Sequence, residues 1–165
     1  MAKDCSFDVV SKADMNEVKT AIDQVEREIG QRFDFKGSKA EITLDSAENR
    51  ITIVADDDFQ LRNVVDILQT KMVKRGVSLR FLDYGKVEPA AKATVRQHIT
   101  LKQGISKENA KKIIDAVKEL KLKAQAQIQE DQVRISGKER DDMQKVIAHL
   151  KSLDFGIELQ YLNYR

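Results

Sequence analysis

An internal repeat constrains the fold more than any other feature of the chain. The stretch SKADMNEVKTAIDQV at residues 11–25 aligns without gaps with SKENAKKIIDAVKEL at residues 106–120. Apolar residues recur in both stretches at three- and four-residue intervals, which is typical of an amphipathic helix. Ser11 and Ser106 occupy the N-cap positions of the two predicted helices. We therefore expect the chain to build one kind of unit twice.

Each copy continues with the same elements after its first helix. They are a hairpin, a second helix and a final strand, at residues 39–56, 58–76 and 77–84 in the first copy and at residues 123–138, 142–156 and 157–164 in the second. A strand pattern also precedes the first helix, at residues 5–10 and 96–103. The order strand, helix, strand, strand, helix, strand is that of the ferredoxin-like fold.

The sequence therefore predicts an α+β protein formed by tandem duplication of two ferredoxin-like domains. Each domain would have an antiparallel four-stranded sheet with both helices on one face. The domains span residues 1–84 and 96–165, and residues 85–95, which contain the only proline, form the linker. Because the helices cover one face of each sheet, the opposite face remains for solvent, a ligand or a partner.

Charge and composition argue against several classes of protein. The 29 Lys and Arg residues are nearly balanced by 27 Asp and Glu residues, so the net charge of +2 does not by itself indicate a nucleic-acid-binding protein. The single cysteine, Cys5, cannot form an intramolecular disulfide. The sequence lacks a signal-peptide pattern and a membrane-spanning apolar run, which predicts a cytoplasmic protein with no membrane partner.

No residue pattern supports catalysis or metal binding. The glycines form neither a P-loop nor a dinucleotide-binding turn. Asp56, Asp57 and Asp58 stand between a strand and a helix, where a capping role is favoured over metal binding. His98 and His149 lack companions at metal-ligand spacing. We predict no enzymatic activity, no metal site and no cofactor.

The second hairpin has an outward face of unusual charge. Between residues 121 and 138 apolar residues alternate with polar ones, which predicts half-buried strands. Its outward positions include four cations and no acid, whereas the first hairpin mixes both signs. Lysine and arginine can bind phosphates, and glutamine can both donate to and accept from a base edge. The candidate nucleotide-binding residues are Lys123, Gln125, Gln127, Arg134, Ser136 and Lys138.

A solvated strand surface and a domain interface remain alternative interpretations of this face. Arg134 is the strongest single candidate, because its planar guanidinium can hold a phosphate or a guanine with two parallel hydrogen bonds. The stretch RFDFKG at residues 32–37 looks like an aromatic RNA-binding signature, but it precedes the first hairpin instead of lying on it. Phe33 and Phe35 are better interpreted as core or edge anchors, with stacking on a base as the less favoured alternative.

Several long motifs resemble those of the bacterial YajQ family. They are SFDVVSKADMNEVKTAIDQVEREIGQRFDFKG, LKQGIS, KLKAQAQIQEDQVRISGKERDDMQ and LQYLNYR, and the match covers nearly the whole chain. The resemblance implies two ferredoxin-like domains in tandem whose first strands, residues 5–10 and 96–103, are exchanged. It also implies a nucleotide-binding protein without an established reaction, for which cyclic dinucleotides or RNA are the proposed ligands.

The implied exchange alters the charge expected on each sheet. If each copy keeps its own first strand, Arg96, His98 and Lys102 join the second sheet. After exchange, residues 5–10 bring Asp8 to the second sheet, which becomes less basic, while the first sheet becomes more basic than it would otherwise be. Our leading hypothesis is a non-enzymatic nucleotide-binding protein whose partner is a mononucleotide, a cyclic dinucleotide or RNA. The alternative is an interaction module that docks a protein partner through a sheet face or edge.

Overall fold

The computed structural model describes residues 4–165 and has an α+β fold. Residues 1–3, the start of the first predicted domain, lie outside the described residues. Within residues 4–165 there are four α-helices and two antiparallel sheets, one with four strands and one with five. The α+β class and the antiparallel sheets of the sequence-based prediction are thus confirmed.

The helices and strands follow the predicted order, with differences in length. The helices are α1 (Met15–Gln31), α2 (Asp58–Lys74), α3 (Lys107–Glu119) and α4 (Arg140–Ser152). The strands are β1 (Cys5–Val10), β2 (Glu41–Asp45), β3 (Arg50–Ala55), β4 (Leu82–Tyr84), β5 (Glu88–Ala90), β6 (Thr94–Leu101), β7 (Ala124–Gln129), β8 (Gln132–Gly137) and β9 (Gln160–Leu162). The strands β4 and β9 are three residues long, shorter than the eight-residue patterns at 77–84 and 157–164.

The chain divides into two compact units, which are described separately. One unit consists of Ala13–Lys102, and the other consists of residues 4–12 together with Gln103–Arg165. None of the helices within residues 4–165 is both long enough and apolar enough to cross a membrane.

The unit Ala13–Lys102 has a sheet of order β2-β3-β6-β4, and β5 pairs with the first three residues of β6. Helices α1 and α2 pack against this sheet and against each other. The predicted apolar stripe of α1, formed by Val18, Ile22 and Val25, is buried with Ile53 of β3 and Ile99 of β6. The strand β5 lies within residues 85–95, the segment predicted as a linker.

The second unit has a sheet of order β7-β8-β1-β9. The strand β1 is antiparallel to both of its neighbours, β8 and β9. Its apolar residues Phe7 and Val9 are buried with Val133 and Ile135 of β8 against α3 and α4. Burial of one face by the two helices leaves the other face of this sheet to the polar residues.

The helix starts confirm one predicted cap and correct the other. Ser106 caps α3, because its hydroxyl oxygen accepts a hydrogen bond from the Asn109 N–H at 3.1 Å. Ser11 does not cap α1: the helix begins later, and Asp14 accepts hydrogen bonds from the N–H groups of Asn16 and Glu17. Aspartate is as good an N-cap as serine, so the cap could shift by three residues along the chain.

The aspartate triplet also has the structural role predicted for it. Asp57 is the N-cap of α2, and its carboxylate accepts a hydrogen bond from the Gln60 N–H at 2.7 Å. Asp56 accepts a hydrogen bond from the Lys39 N–H at 3.0 Å, which ties the start of the first hairpin to its end. These carboxylates therefore stabilise local backbone structure.

Candidate functional site

The six predicted site residues follow one face of the β7–β8 hairpin. Gln125 lies directly opposite Ser136, and Gln127 lies directly opposite Arg134. Residues opposite each other in an antiparallel pair project to the same side of the sheet. Lys123 and Lys138 continue the alternation just beyond the strand ends. We refer to Lys123, Gln125, Gln127, Arg134, Ser136 and Lys138 as the hairpin face.

The hairpin face is accessible within its own unit. The two lysines and the two glutamines are exposed, and Arg134 and Ser136 are partly exposed. On the other side of the hairpin Val133 and Ile135 are buried, as the alternation predicts. Ile128, by contrast, lies next to the turn and remains exposed, so the apolar side is not covered along its whole length.

Gly137 allows the two lysine-bearing ends of the hairpin to approach closely. A Cβ atom at this position would lie 2.9 Å from the Lys123 carbonyl oxygen and 2.7 Å from Cε of Met143. Since the first of these neighbours is backbone, it could not move away without disturbing the hairpin. The absence of a side chain at Gly137 thus keeps Lys123 and Lys138 near each other.

The strand β1 brings an acid to this face that the hairpin itself lacks. Asp8 lies opposite Arg134 in the β1–β8 pairing. Arg134 donates from Nε to Oδ1 of Asp8 at 2.9 Å and from Nη2 to Oδ2 at 3.3 Å. Asn163 also donates to Oδ2, at 2.8 Å. Asp8 is only 1% exposed, whereas the side chain of Arg134 is 37% exposed.

This geometry leaves one edge of the Arg134 guanidinium available. A guanidinium has five N–H groups, and the contacts with Asp8 use one on Nε and one on Nη2. Within residues 4–165, Nη1 forms no hydrogen bond. The edge formed by Nη1 and Nη2 can therefore still hold a phosphate or a base with two parallel hydrogen bonds. Asp8 fixes the plane in which that edge lies.

The same contacts change the acidity of Asp8. The hydrogen bond from Arg134 lowers the pKa of the Asp8 carboxyl below its usual value, and this effect exceeds the opposing effect of burial. Asn163 contributes to the lowering through its own hydrogen bond. Asp8 is therefore charged throughout the neutral range, and it remains charged well into the acid range.

We expect this pKa shift to appear as a stability difference in acid. A carboxyl group whose pKa is lower in the folded state stabilises the fold above its unfolded pKa of about 3.9, and that contribution is lost as the pH falls through the folded pKa. Urea unfolding between about pH 6 and pH 2.5 should therefore show that the stability advantage of the native chain over Asp8→Asn shrinks with falling pH. A constant difference across this range would contradict the assignment.

The first unit balances its outward cations with an acid from β5. Arg96 of β6 donates to Oε1 of Glu88 at 3.0 Å from Nε and at 2.8 Å from Nη2. His98 forms a 2.9 Å hydrogen bond with the Thr52 hydroxyl, and its Nε2 lies 3.7 Å from the same Glu88 oxygen. Within residues 4–165, no group of His, Cys, Asp and Glu residues could hold a metal ion.

The aromatic residues of RFDFKG have two different environments. Phe35 is buried and lies under the Arg32 guanidinium, whose carbon is 5.3 Å from the ring centroid. Phe33 is 88% exposed, so its interpretation as a core or edge anchor is wrong. The short 3₁₀ helix Phe33–Phe35 directs the two phenylalanine side chains to different sides. A strand would direct residues two positions apart to the same side.

The structure also contains a cavity that the sequence did not suggest. It lies beside the start of β1, has a volume of about 340 Å³, and is bordered by Arg140, Tyr164 and Arg165 among others. Neither hairpin carries an outward aromatic residue, and Tyr164 lies outside both hairpins, after the last strand. The adjacent aromatic and cationic residues of the YLNYR ending are the sequence signal that points to this region.

Comparisons with known proteins agree with the motifs. The family model described as "Nucleotide-binding protein YajQ-like" matches residues 5–165. A protein of Carboxydothermus hydrogenoformans is 55% identical over 165 residues, which is 100% of both chains. A Heliobacterium modesticaldum protein is 56% identical over 165 residues, covering 100% of this chain and 99% of the relative. Both relatives are named "Nucleotide-binding protein".

A third relative extends the agreement to another bacterium. The protein of Trichlorobacter lovleyi, also named "Nucleotide-binding protein", is 56% identical over 160 residues, covering 97% of this chain and 98% of the relative. Identity above one half, spread over the full length of each relative, leaves no large segment of the chain unmatched. The chain therefore belongs to the YajQ family, as its motifs predict.

Proposed function

We propose that this protein is a non-enzymatic nucleotide-binding protein that holds its ligand on the hairpin face. The observation that carries the proposal is the Asp8–Arg134 pair, which fixes the guanidinium and leaves its Nη1–Nη2 edge free. Membership of a family whose relatives are named nucleotide-binding proteins supports the same function. The exposed amides of Gln125 and Gln127 supply the adjacent polar groups that a base requires.

The arrangement of the six residues assigns a role to each end of the hairpin face. Lys123 and Lys138 stand at one end, where two ammonium groups can neutralise a phosphate. Arg134 and Gln127 lie opposite each other toward the other end, and Gln125 and Ser136 lie between. Four residue steps along β7 separate the ends by about 13 Å. That length suits a ligand with more than one nucleotide, such as a cyclic dinucleotide or a short RNA.

We expect binding of a short oligouridylate to weaken with salt. Each phosphate neutralised on a single strand contributes about −0.7 to the slope of log affinity against log salt, so contacts from Lys123, Arg134 and Lys138 give a slope of about −2. Equilibrium binding at several salt concentrations measures the slope. In the Lys123→Ala/Lys138→Ala double variant this slope should be shallower by about 1.4.

A slope near zero in the native chain would show that the protein does not neutralise phosphates of the ligand, and it would favour a different function. The alternative is a module that docks a protein partner through the edge of the second sheet. The strand β7 is an outer strand of that sheet, and it carries the exposed Ile128. An outer strand with an exposed apolar side chain can pair with a strand of a partner. Binding of that kind depends little on salt.

We further propose that the two units are duplicated ferredoxin-like domains with exchanged first strands. The two sheets support this proposal through their matching orders, β4-β6-β3-β2 and β9-β1-β8-β7. In the first order β6, which precedes the first helix of the second copy, lies between the final strand β4 and the hairpin β2–β3 of the first copy. In the second order β1, which precedes the first helix of the first copy, lies between the final strand β9 and the hairpin β7–β8 of the second copy. The repeated helix and hairpin patterns described above support the duplication.

A further inference from the structure

The cavity of the second unit lies between three segments of the chain, which are the start of β1, the start of α4 and the C-terminal segment. Cys5 pairs with Gly137, so the start of β1 adjoins the end of β8. Ser6 and Arg165 exchange two backbone hydrogen bonds of 3.1 and 2.9 Å, which bring the chain end to the same edge. Helix α4 begins at Arg140, three residues after Gly137. The cavity of about 340 Å³ is partly open to solvent and is lined by residues of β1, α4 and the C-terminal segment.

One wall of this cavity is aromatic. Phe7, which is 1% exposed, and Met143 form its buried part. The Tyr164 ring stacks on Phe7 with a centroid distance of 6.2 Å and an interplanar angle of 29°. Tyr164 is 60% exposed, so much of its ring remains open. Such a supported and open ring can stack with a planar aromatic group of a ligand.

The rim of the cavity carries two cations that form no close ion pair. Within residues 4–165, neither the Arg140 nor the Arg165 guanidinium forms a hydrogen bond or a close ion pair, whereas Arg134 is bound to Asp8. The charge of Arg165 acts on Asp8 at longer range and helps to lower the pKa of that carboxyl. Glu139, the N-cap residue of α4, makes no side-chain capping bond. The first turn of α4 already carries Asp141 and Asp142, so the attraction for an anion comes from the two guanidinium groups and not from the helix start. Two guanidinium groups without hydrogen-bonded partners favour an anionic group such as a phosphate.

We propose that this cavity is a second ligand site, separate from the hairpin face, and that it binds a nucleoside monophosphate. The base stacks on Tyr164, and the phosphate lies between Arg140 and Arg165. Gln144, which also lines the cavity, can hydrogen-bond to the base or the sugar. The volume of about 340 Å³ falls in the range of small-molecule sites in proteins.

The test is isothermal titration of the native chain and its variants with AMP, GMP and adenosine. Tyr164→Ala should weaken AMP binding about ten- to a hundredfold, because stacking of one base on an aromatic ring supplies an effect of that size. Tyr164→Phe should retain most of the affinity. The matched control is Tyr84→Ala, since Tyr84 has the corresponding place at the end of the first copy and is hydrogen-bonded to Gln69 at 2.7 Å. It should bind AMP like the native chain.

Two further variants test the phosphate contact and the separation of the two sites. Arg140→Ala should abolish most of the preference for AMP over adenosine. Lys145→Ala, an exposed position of α4 that does not line the cavity, should leave AMP binding unchanged. Excess oligouridylate should not displace AMP if the two sites are separate. The proposal is overturned if AMP does not bind, if Tyr164→Ala and Tyr84→Ala behave alike, or if oligouridylate displaces AMP. Oligouridylate binding to the same variants reports on the hairpin face independently.

Discussion

Replacement of Arg134 by alanine is expected to weaken nucleotide binding about ten- to a hundredfold, because the variant loses charge-assisted hydrogen bonds from a fixed guanidinium edge. The change also removes the main partner of Asp8, which is buried and would retain only the hydrogen bond from Asn163. A buried carboxylate without its cation is strongly unfavourable, so the variant should also be less stable. Loss of binding must therefore be separated from loss of stability.

A double variant separates the two effects of the Arg134 substitution. Asp8→Asn removes the buried charge, so that Arg134→Ala in this background no longer leaves a carboxylate unpaired. The double variant should bind as weakly as Arg134→Ala while unfolding at nearly the same urea concentration as Asp8→Asn alone. Arg134→Lys keeps the charge but not the planar edge, and it should bind weakly as well. Equal affinity of Asp8→Asn and the folded double variant would exclude Arg134 as a ligand contact.

The second large effect is expected from a core substitution in β1. Phe7 is almost completely buried against β8, α4 and the tyrosines of the C-terminal segment. Phe7→Ala should lower the free energy of unfolding by about 3–5 kcal/mol, through lost burial and the cavity left behind. Hydrogen exchange of the variant should show lost protection in β7, β8 and α4. This outcome would place the N-terminal strand in the sheet of the C-terminal elements in solution.

Ile99→Ala is the matched control for this strand assignment. Ile99 of β6 is fully buried in the core of the other unit. Its replacement should cost about 2–5 kcal/mol and reduce protection in β2, β3 and α2. If each first strand instead remained with its own sequence copy, the two patterns of lost protection would be reversed. Hydrogen exchange thus distinguishes the exchanged arrangement from the simple tandem one.

Local sequence patterns predicted most of the elements and the faces that they bury, but not β5, which lies in the segment predicted as a linker. Alternation from Leu122 to Ile135 predicts which side of the hairpin is apolar, and Val133 and Ile135 are indeed buried. The spacing of Val18, Ile22 and Val25 likewise predicts the buried stripe of α1. Both predictions depend on contacts between residues that are near in the chain, where the helix and strand periods fix the direction of each side chain.

Features that depend on distant contacts could not be predicted in this way. Asp8 and Arg134 are separated by 126 positions, and only the strand order brings them together. The sequence alone presents a hairpin face without an acid, whereas the folded sheet supplies one from β1. The cavity beside Tyr164 depends in the same way on the meeting of β1, α4 and the C-terminal segment. The residues that form such a site are far apart in the chain, so no local periodicity of the sequence predicts it.

We propose that a nucleotide contacts the hairpin face at the free edge of Arg134. Nuclear magnetic resonance can test this contact directly, by titrating the labelled native chain with a short oligouridylate and with cyclic di-GMP. For the ligand that binds, the Arg134 Nε–H signal and the side-chain amides of Gln125 and Gln127 should shift together and saturate with the binding curve. Saturable binding that leaves these three signals unmoved would contradict the claim.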